Sequence, residues 1–295
     1  MENGKNDRRS VWMIVSSMLI FGTIGIFRRY IPLPSAFLAF SRGLLGSLLI
    51  LLFMKLKRRS AVPKLPAGTV MRLAVSGAVM GLNWILLFEA YNRTTVAVAT
   101  LCYYMQPTIV ILLSPLVFKE KLTLKKGACA AVAVAGMVLV SGVAGGGSSR
   151  AADPCGILLG LGAAVCYAAV VIMNKKLSGI EVYRKTTIQL FSAGIAMIPY
   201  LLLSGGFGSG DFSALTVALL FVVGLVHTGI AYMLYFGSMD GLRAQSVAIL
   251  SYIDPVAALL FSALFLQEPL SVSGLAGAVM IIGSAVVSEI RAGGQ

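Results

Sequence analysis

Ten apolar stretches, separated by short polar joints, occupy nearly the whole chain, at 11–29, 36–54, 71–91, 96–117, 124–143, 155–174, 185–203, 214–236, 244–266 and 272–290. Each is close to the roughly 20 helical residues that cross a hydrocarbon layer. Backbone groups in lipid must satisfy their hydrogen bonds internally, so stretches of this length read as helices. Charge is correspondingly scarce: 12% of residues are charged, against about 25% in soluble domains. The expected fold is an all-α integral membrane protein of ten transmembrane helices, with the lipid bilayer as its surroundings. Little chain remains for a soluble domain.

The net charge of +13 raises the question of a nucleic-acid partner, and its distribution argues against one. Ten spans alternate between two sides, and 19 of the 24 Lys and Arg residues fall on one of them. Four, Arg28, Arg29, Arg93 and Arg150, fall on the other, and Arg42 lies within a span. Basic residues accumulate on the cytoplasmic side of membrane proteins, so both termini are expected there, in a prokaryotic cell (inner) membrane. The first apolar run follows basic residues as a signal peptide would. It is followed by Arg28 and Arg29 rather than a small-residue cleavage site, which points to an uncleaved helix. Cys102, Cys129, Cys155 and Cys166 show neither metal-ligand spacing nor a disulfide framework.

Displaced by 148 residues, the sequence matches itself. YMQPTIVILLSPLVFKEKL (104–122) lies over YIDPVAALLFSALFLQEPL (252–270), and 81–122 holds ten identities in 42 ungapped positions, among them Gly81, Tyr104, Pro107 and Glu120. The halves are therefore 1–148 and 149–295, with five spans each. Because five is odd, the second half must cross the membrane inverted. Inverted repeats of this kind typify secondary transporters, with binding sites near the midplane where the halves meet. Pro107 and Pro255 interrupt spans four and nine at equivalent places. Each either frees a carbonyl for a partner or fixes a kink that sets helix packing.

Ten spans in two halves, the prolines, and Glu120 and Glu268 each followed by Leu and then Thr123 or Ser271 resemble the EamA-type branch of the drug/metabolite transporter superfamily. The likeness covers essentially the whole chain, although Phe21 stands where the family often has Trp. It implies a central cavity lined mainly by spans 1, 3, 4, 6, 8 and 9, with spans 5 and 10 peripheral. It also implies transport of amino acids, related metabolites or organic cations.

Ionisable groups within spans usually face a cavity or the bundle interior. Asp254, mid-span nine, is the first candidate, with a structural hydrogen bond as its alternative. Helical spacing puts Ser251 on its face, and in the other half Tyr103 and Gln106 are related in the same way. Tyr104 and Tyr252 then point between helices, where their hydroxyls need partners. Glu89 either faces the cavity or pairs with Arg93 at i+4. Arg42 binds substrate, snorkels or pairs with a carboxylate. His227, of the side-chain type that changes charge near neutral pH, is a binding residue or a neutral hydrogen bonder. Trp84, with Phe88, Tyr232 and Phe236, either stacks on substrate or fills the core. Glu120 and Glu268 read as structural, each beside the N-cap of the next helix.

An enzyme is disfavoured: there is one histidine, and neither HExxH nor GxSxG occurs. No cofactor motif and no Walker A sequence is present. The expectation is a secondary active carrier of a small-molecule substrate, with amino acids favoured over organic cations. A proton or other ion is the coupling partner, and the protein works as a monomer or weak homodimer.

Overall fold

A computed structural model of the chain describes residues 2–56, 65–94, 96–140, 153–207, 212–267 and 272–289. Every regular element among them is helical. The first half contains α1 (Glu2–Gly22), α2 (Ile24–Arg29), α3 (Ser35–Leu56), α4 (Ala67–Arg93), α5 (Val96–Tyr103), α6 (Gln106–Phe118) and α7 (Leu124–Val140). The second contains α8 (Pro154–Lys176), α9 (Val182–Leu203), α10 (Ala214–Val222), a π-helical segment (Val223–Ile230), α11 (Ala231–Ser238), α12 (Ala244–Ser251), α13 (Ile253–Leu266) and α14 (Val272–Glu289).

Eight helical stretches among the described residues are long and apolar enough to cross a membrane. Two expected spans, 124–143 and 272–290, correspond to α7 and α14, of 17 and 18 residues. At 1.5 Å per residue these reach about 26 Å, a little short of a hydrocarbon core about 30 Å thick. The residues beyond Val140 and on both sides of α14 lie outside the described set. The outer surface is apolar, with Leu48, Leu52, Leu116, Leu203, Leu264 and Val272 all exposed. Such a surface suits lipid rather than water.

Helix partners recur at the 148-residue displacement. α4 packs on α8, and α11 packs on α1; α4 packs on α9, and the π-helical segment packs on α3. α6 packs on α8, and α13 packs on α1, while α3 pairs with α9 and α7 with α14. Without a hydrophobic drive between helices in lipid, close backbone approach through small residues holds such pairs. Gly81 shows it: a Cβ there would lie 2.6 Å from the Ala193 carbonyl oxygen of α9. The displacement also holds at single residues. Lys119 (φ 57°) ends α6 and Gln267 (φ 56°) ends α13, both left-handed.

Spans four and nine are each broken in two. Tyr104 and Met105 form the turn between α5 and α6, and Tyr252 forms the turn between α12 and α13. Pro107 and Pro255 therefore stand in the first turns of new helices, where a missing N–H costs nothing. In an unbroken helix residues 107 and 255 would donate to the carbonyls of Tyr103 and Ser251, and proline has no proton to give.

Candidate functional site

The breaks meet at a cavity of about 670 Å³ in the centre of the bundle. Its walls come from α1 and α2, α3, α4, α5 and α6, α8, α11, and α12 and α13. These are spans 1, 3, 4, 6, 8 and 9, joined by span 2. Six of the eight residues expected at a site line it: Asp254, Gln106, Tyr103, Ser251, Trp84 and Arg42.

Asp254 is half-buried in the first turn of α13, and its Oδ2 accepts a hydrogen bond of 2.8 Å from the Tyr104 hydroxyl. The converse contact joins Tyr252 and Thr108, whose hydroxyl oxygens are 2.7 Å apart. Each break thus carries a tyrosine that hydrogen-bonds the other broken span. Tyr252 is fully buried between helices, as expected. Tyr104 departs from that expectation by lining the cavity. Its ring lies against Tyr103 and its hydroxyl reaches Asp254, both on the cavity wall. Gln106 is 4% exposed, and its Nε2 has no hydrogen-bond partner. Ser251 donates to the Val247 carbonyl at 2.7 Å and lies 3.3 Å from the Tyr235 hydroxyl.

Arg42 neither snorkels nor reaches a carboxylate. Its guanidinium carbon lies 5.0 Å from the Trp84 ring centroid, within cation–π range, and its buried Nε has no hydrogen-bond partner. Further aromatic rings complete the wall. Tyr167 stacks parallel to Tyr235 with centroids 6.3 Å apart, and Phe21 meets Tyr232 edge-on at 5.1 Å. The Tyr103 ring lies 5.6 Å from Tyr104 and 5.9 Å from Tyr167. Towards one end of the bundle the cavity reaches Arg28, Ser35, Tyr91 and Thr100. Arg28 is held there by the Ile31 carbonyl and by Ser35 Oγ.

Glu89 and His227 do not line the cavity. On α4 the lining residues are Trp84, Leu87, Phe88 and Tyr91, spaced i, i+3, i+4 and i+7. At about 100° per residue Glu89 points roughly 150° away from that face. It accepts instead from the Tyr200 hydroxyl on α9, at 2.6 Å. His227 sits in the π-helical segment, 1% exposed, with Nε2 2.8 Å from Thr23 Oγ1 and its ring edge-on to Phe27. Thr23 gives its only hydroxyl proton to the Ile20 carbonyl, so the histidine donates to it. Both residues tie helices together. Phe236 is likewise fully buried core.

At the opposite end, hydrogen bonds cross between halves. Glu120 was expected beside its own next helix, where Thr123 Oγ1 does accept from the Lys126 N–H. The Glu120 carboxylate reaches farther, accepting from the backbone N–H groups of Ala244 (3.0 Å) and Gln245 (3.4 Å) at the start of α12. Gln245 donates to Ser114 at 2.7 Å, and Lys126 to Ser246 at 3.3 Å. Within the second half, Lys175 holds the carbonyls of Met239 and Leu242. Glu268, the expected equivalent of Glu120, lies outside the described residues.

A multi-helix membrane bundle around an aromatic cavity, with charges of both signs on its wall, is the architecture of a solute carrier. The sequence profile of the EamA-like transporter family matches twice, at residues 8–142 and 154–289, and the chain belongs to that family. The uncharacterized transporter YxxF of Bacillus subtilis (strain 168) is 28% identical over 99% of this chain and 93% of its own length. Protein PecM of Dickeya dadantii (strain 3937) is 28% identical over 76% of this chain and 75% of its own. An uncharacterized transporter of Archaeoglobus fulgidus is 27% identical over 93% of this chain and 94% of its own. A crystal structure 18% identical in sequence superposes with a TM-score of 0.79, covering 95% of this chain and 98% of the other. It shares the fold.

Proposed function

We propose that the protein is a secondary active transporter of small zwitterionic metabolites, amino acids or close relatives, working by alternating access. The carrying observation is that the Asp254 carboxylate and Arg42, whose buried Nε has no hydrogen-bond partner, line one cavity. In this reading Asp254 takes the substrate ammonium or a coupling proton. Arg42 takes the carboxylate, and Gln106 adds a neutral donor. The volume lies within the usual range for small-molecule sites.

The halves 1–148 and 149–295 act as inverted repeats, a reading supported by the recurring helix partners and the twin left-handed caps. The hydrogen bonds from Glu120, Lys126 and Lys175 hold one end together while the cavity reaches the other. That asymmetry is what one alternating-access state requires. The three relatives are prokaryotic, which supports a prokaryotic cell membrane; the basic joints support cytoplasmic termini.

An organic-cation carrier is the second reading, favoured by the aromatic wall around one carboxylate. Against it, Arg28 and Arg42 also line the cavity, and two guanidinium groups repel a substrate that carries only positive charge.

The test is flux into proteoliposomes. Asp254→Asn keeps the shape and removes the charge, so uptake of zwitterions should fall to background with the folded protein recovered in normal yield. Wild-type flux in that variant would overturn the proposed role of Asp254. Loss of cation flux with zwitterion flux intact would select the second reading.

A further inference from the structure

Away from the central cavity, a second hollow of about 330 Å³ opens between α3 and α9 at the lysine-rich end of the bundle. Two cationic side chains line it, Lys55 in the last turn of α3 and Arg184 in the first turn of α9. Leu51, Met54 and Ile188 provide its apolar wall. The remaining lining residue is Thr187, only 6% exposed, whose hydroxyl has no hydrogen-bond partner. A buried polar group without a partner needs an explanation, and here it borders a hollow that two cations also border.

The surroundings indicate what kind of anion belongs there. Exposed apolar residues run away from the cations along both helices. On α3 these are Leu48 and Leu52; on α9 they are Phe191 and Ile195, in helical register with Arg184 and Ile188. Phe53 of α3 stacks on Tyr183 of α9 with ring centroids 5.6 Å apart. Tyrosine of this kind collects at the level of lipid headgroups. The sequence continues past Lys55 with Lys57, Arg58 and Arg59, and clustered basic residues beside a span attract anionic lipid. A soluble anion would use the cations and the hydroxyl but leave both apolar tracks unused. A phospholipid uses all of them.

We infer that the crevice between α3 and α9 is a binding site for an anionic phospholipid. Its phosphodiester lies between Lys55, Arg184 and the Thr187 hydroxyl, and its acyl chains lie along the two apolar tracks. The site is independent of the transport reading, because it shares no lining residue with the central cavity.

The experiment uses the full chain, purified in detergent and stripped of native lipid. Thermal stability and lipid adducts by native mass spectrometry are followed on adding phosphatidylglycerol, phosphatidylcholine or inorganic phosphate. Phosphatidylglycerol should raise Tm by several degrees and remain bound, and the other two should do neither. Lys55→Gln, at an exposed position, should weaken phosphatidylglycerol binding about ten-fold, as losing one charge-assisted hydrogen bond would. Thr187→Val should weaken it to a smaller extent, and Asp254→Asn should leave it unchanged. Equal stabilisation by phosphatidylcholine would overturn the anionic site. An equal effect of inorganic phosphate would make it a site for free anions, and unaltered binding by Lys55→Gln would remove the crevice as its location.

Discussion

Tyr104 shows how a single hydroxyl links the two broken spans. Its hydrogen bond to Asp254 joins the cavity carboxylate of the second half to a side chain of the first. Tyr104→Phe removes only that hydroxyl. In proteoliposomes the variant should raise KM about ten-fold, corresponding to about 1.4 kcal/mol, the scale of one hydrogen bond to a charged group. An unchanged KM would show that Tyr104 does not orient Asp254 for binding. Arg42→Lys tests the other sign: it keeps the charge and loses the guanidinium that lies over the Trp84 ring. A cation–π contact of this kind contributes about 0.5–2 kcal/mol, so KM should rise about five-fold with maximal flux retained. Wild-type kinetics would mean that only the charge of Arg42 matters. Some of this site was legible in the sequence. The three-residue spacing joined Asp254 to Ser251 and Gln106 to Tyr103, and all four line the cavity. Each pair spans a turn and still shares a face, so the spacing survives the breaks; the same reasoning placed Tyr104 between helices, whereas it lines the cavity with its hydroxyl on Asp254. Glu89 was misread for a different reason. A lone acid says nothing about how α4 is rotated, whereas the set Trp84, Leu87, Phe88 and Tyr91 fixes the rotation. Tyr167 and Tyr235 carry no charge and no repeat identity that would have singled them out.

Among the helices, α12 is short, eight residues, and its free N–H groups at Ala244 and Gln245 are bound by Glu120. An acidic group at a helix N-terminus stabilises it by about 0.3–1 kcal/mol, up to about 2 where partly buried. Glu120 sits on the connection after α6, so it couples the end of span four to the start of span nine. Glu120→Gln keeps the size and removes the charge. Hydrogen exchange at the Ala244 and Gln245 amides should then accelerate about ten-fold, while the amides of α9 are unaffected. Uniform acceleration across the protein would indicate global destabilisation, and no change would show that the carboxylate does not hold α12. Sequence spacing assigned Glu120 to the helix that follows it, because local capping rules extend only a few residues. The true partner lies 124 residues away, and only the fold brings it near. The recurrence at 148 residues was legible at this scale. Gly81 is one of its identities, and the tight approach of α4 to Ala193 on α9 gives that glycine a physical reason.

Taken whole, the molecule is organised by which of its ends carry charge. Apolar length and the lysine-rich joints were enough to read a helical membrane protein, because both follow from the cost of burying backbone and charge in hydrocarbon. Among the described residues eight stretches meet the length for crossing, and α7 and α14, which border residues outside that set, pack on each other. The proposed inversion has a direct test in one pair of residues. Lys119 and Gln267 are 148 residues apart, share the same left-handed backbone conformation and are both exposed at the ends of α6 and α13. A direct repeat would place them on the same side of the membrane, and an inverted one on opposite sides. Charge decides which side is which, because Lys119 stands in the basic joint with Lys121, Lys125 and Lys126, whereas Gln267 has no such neighbours. In a background with the four native cysteines replaced by Ala, Lys119→Cys and Gln267→Cys are made separately and treated with a membrane-impermeant maleimide in intact cells. Gln267→Cys should react at once, and Lys119→Cys only after the membrane is permeabilised. Reaction of both in intact cells, or of neither, would place the two residues on one side and end the inverted-repeat reading. Reaction of Lys119→Cys alone would preserve the inversion but reverse the orientation inferred from the charges.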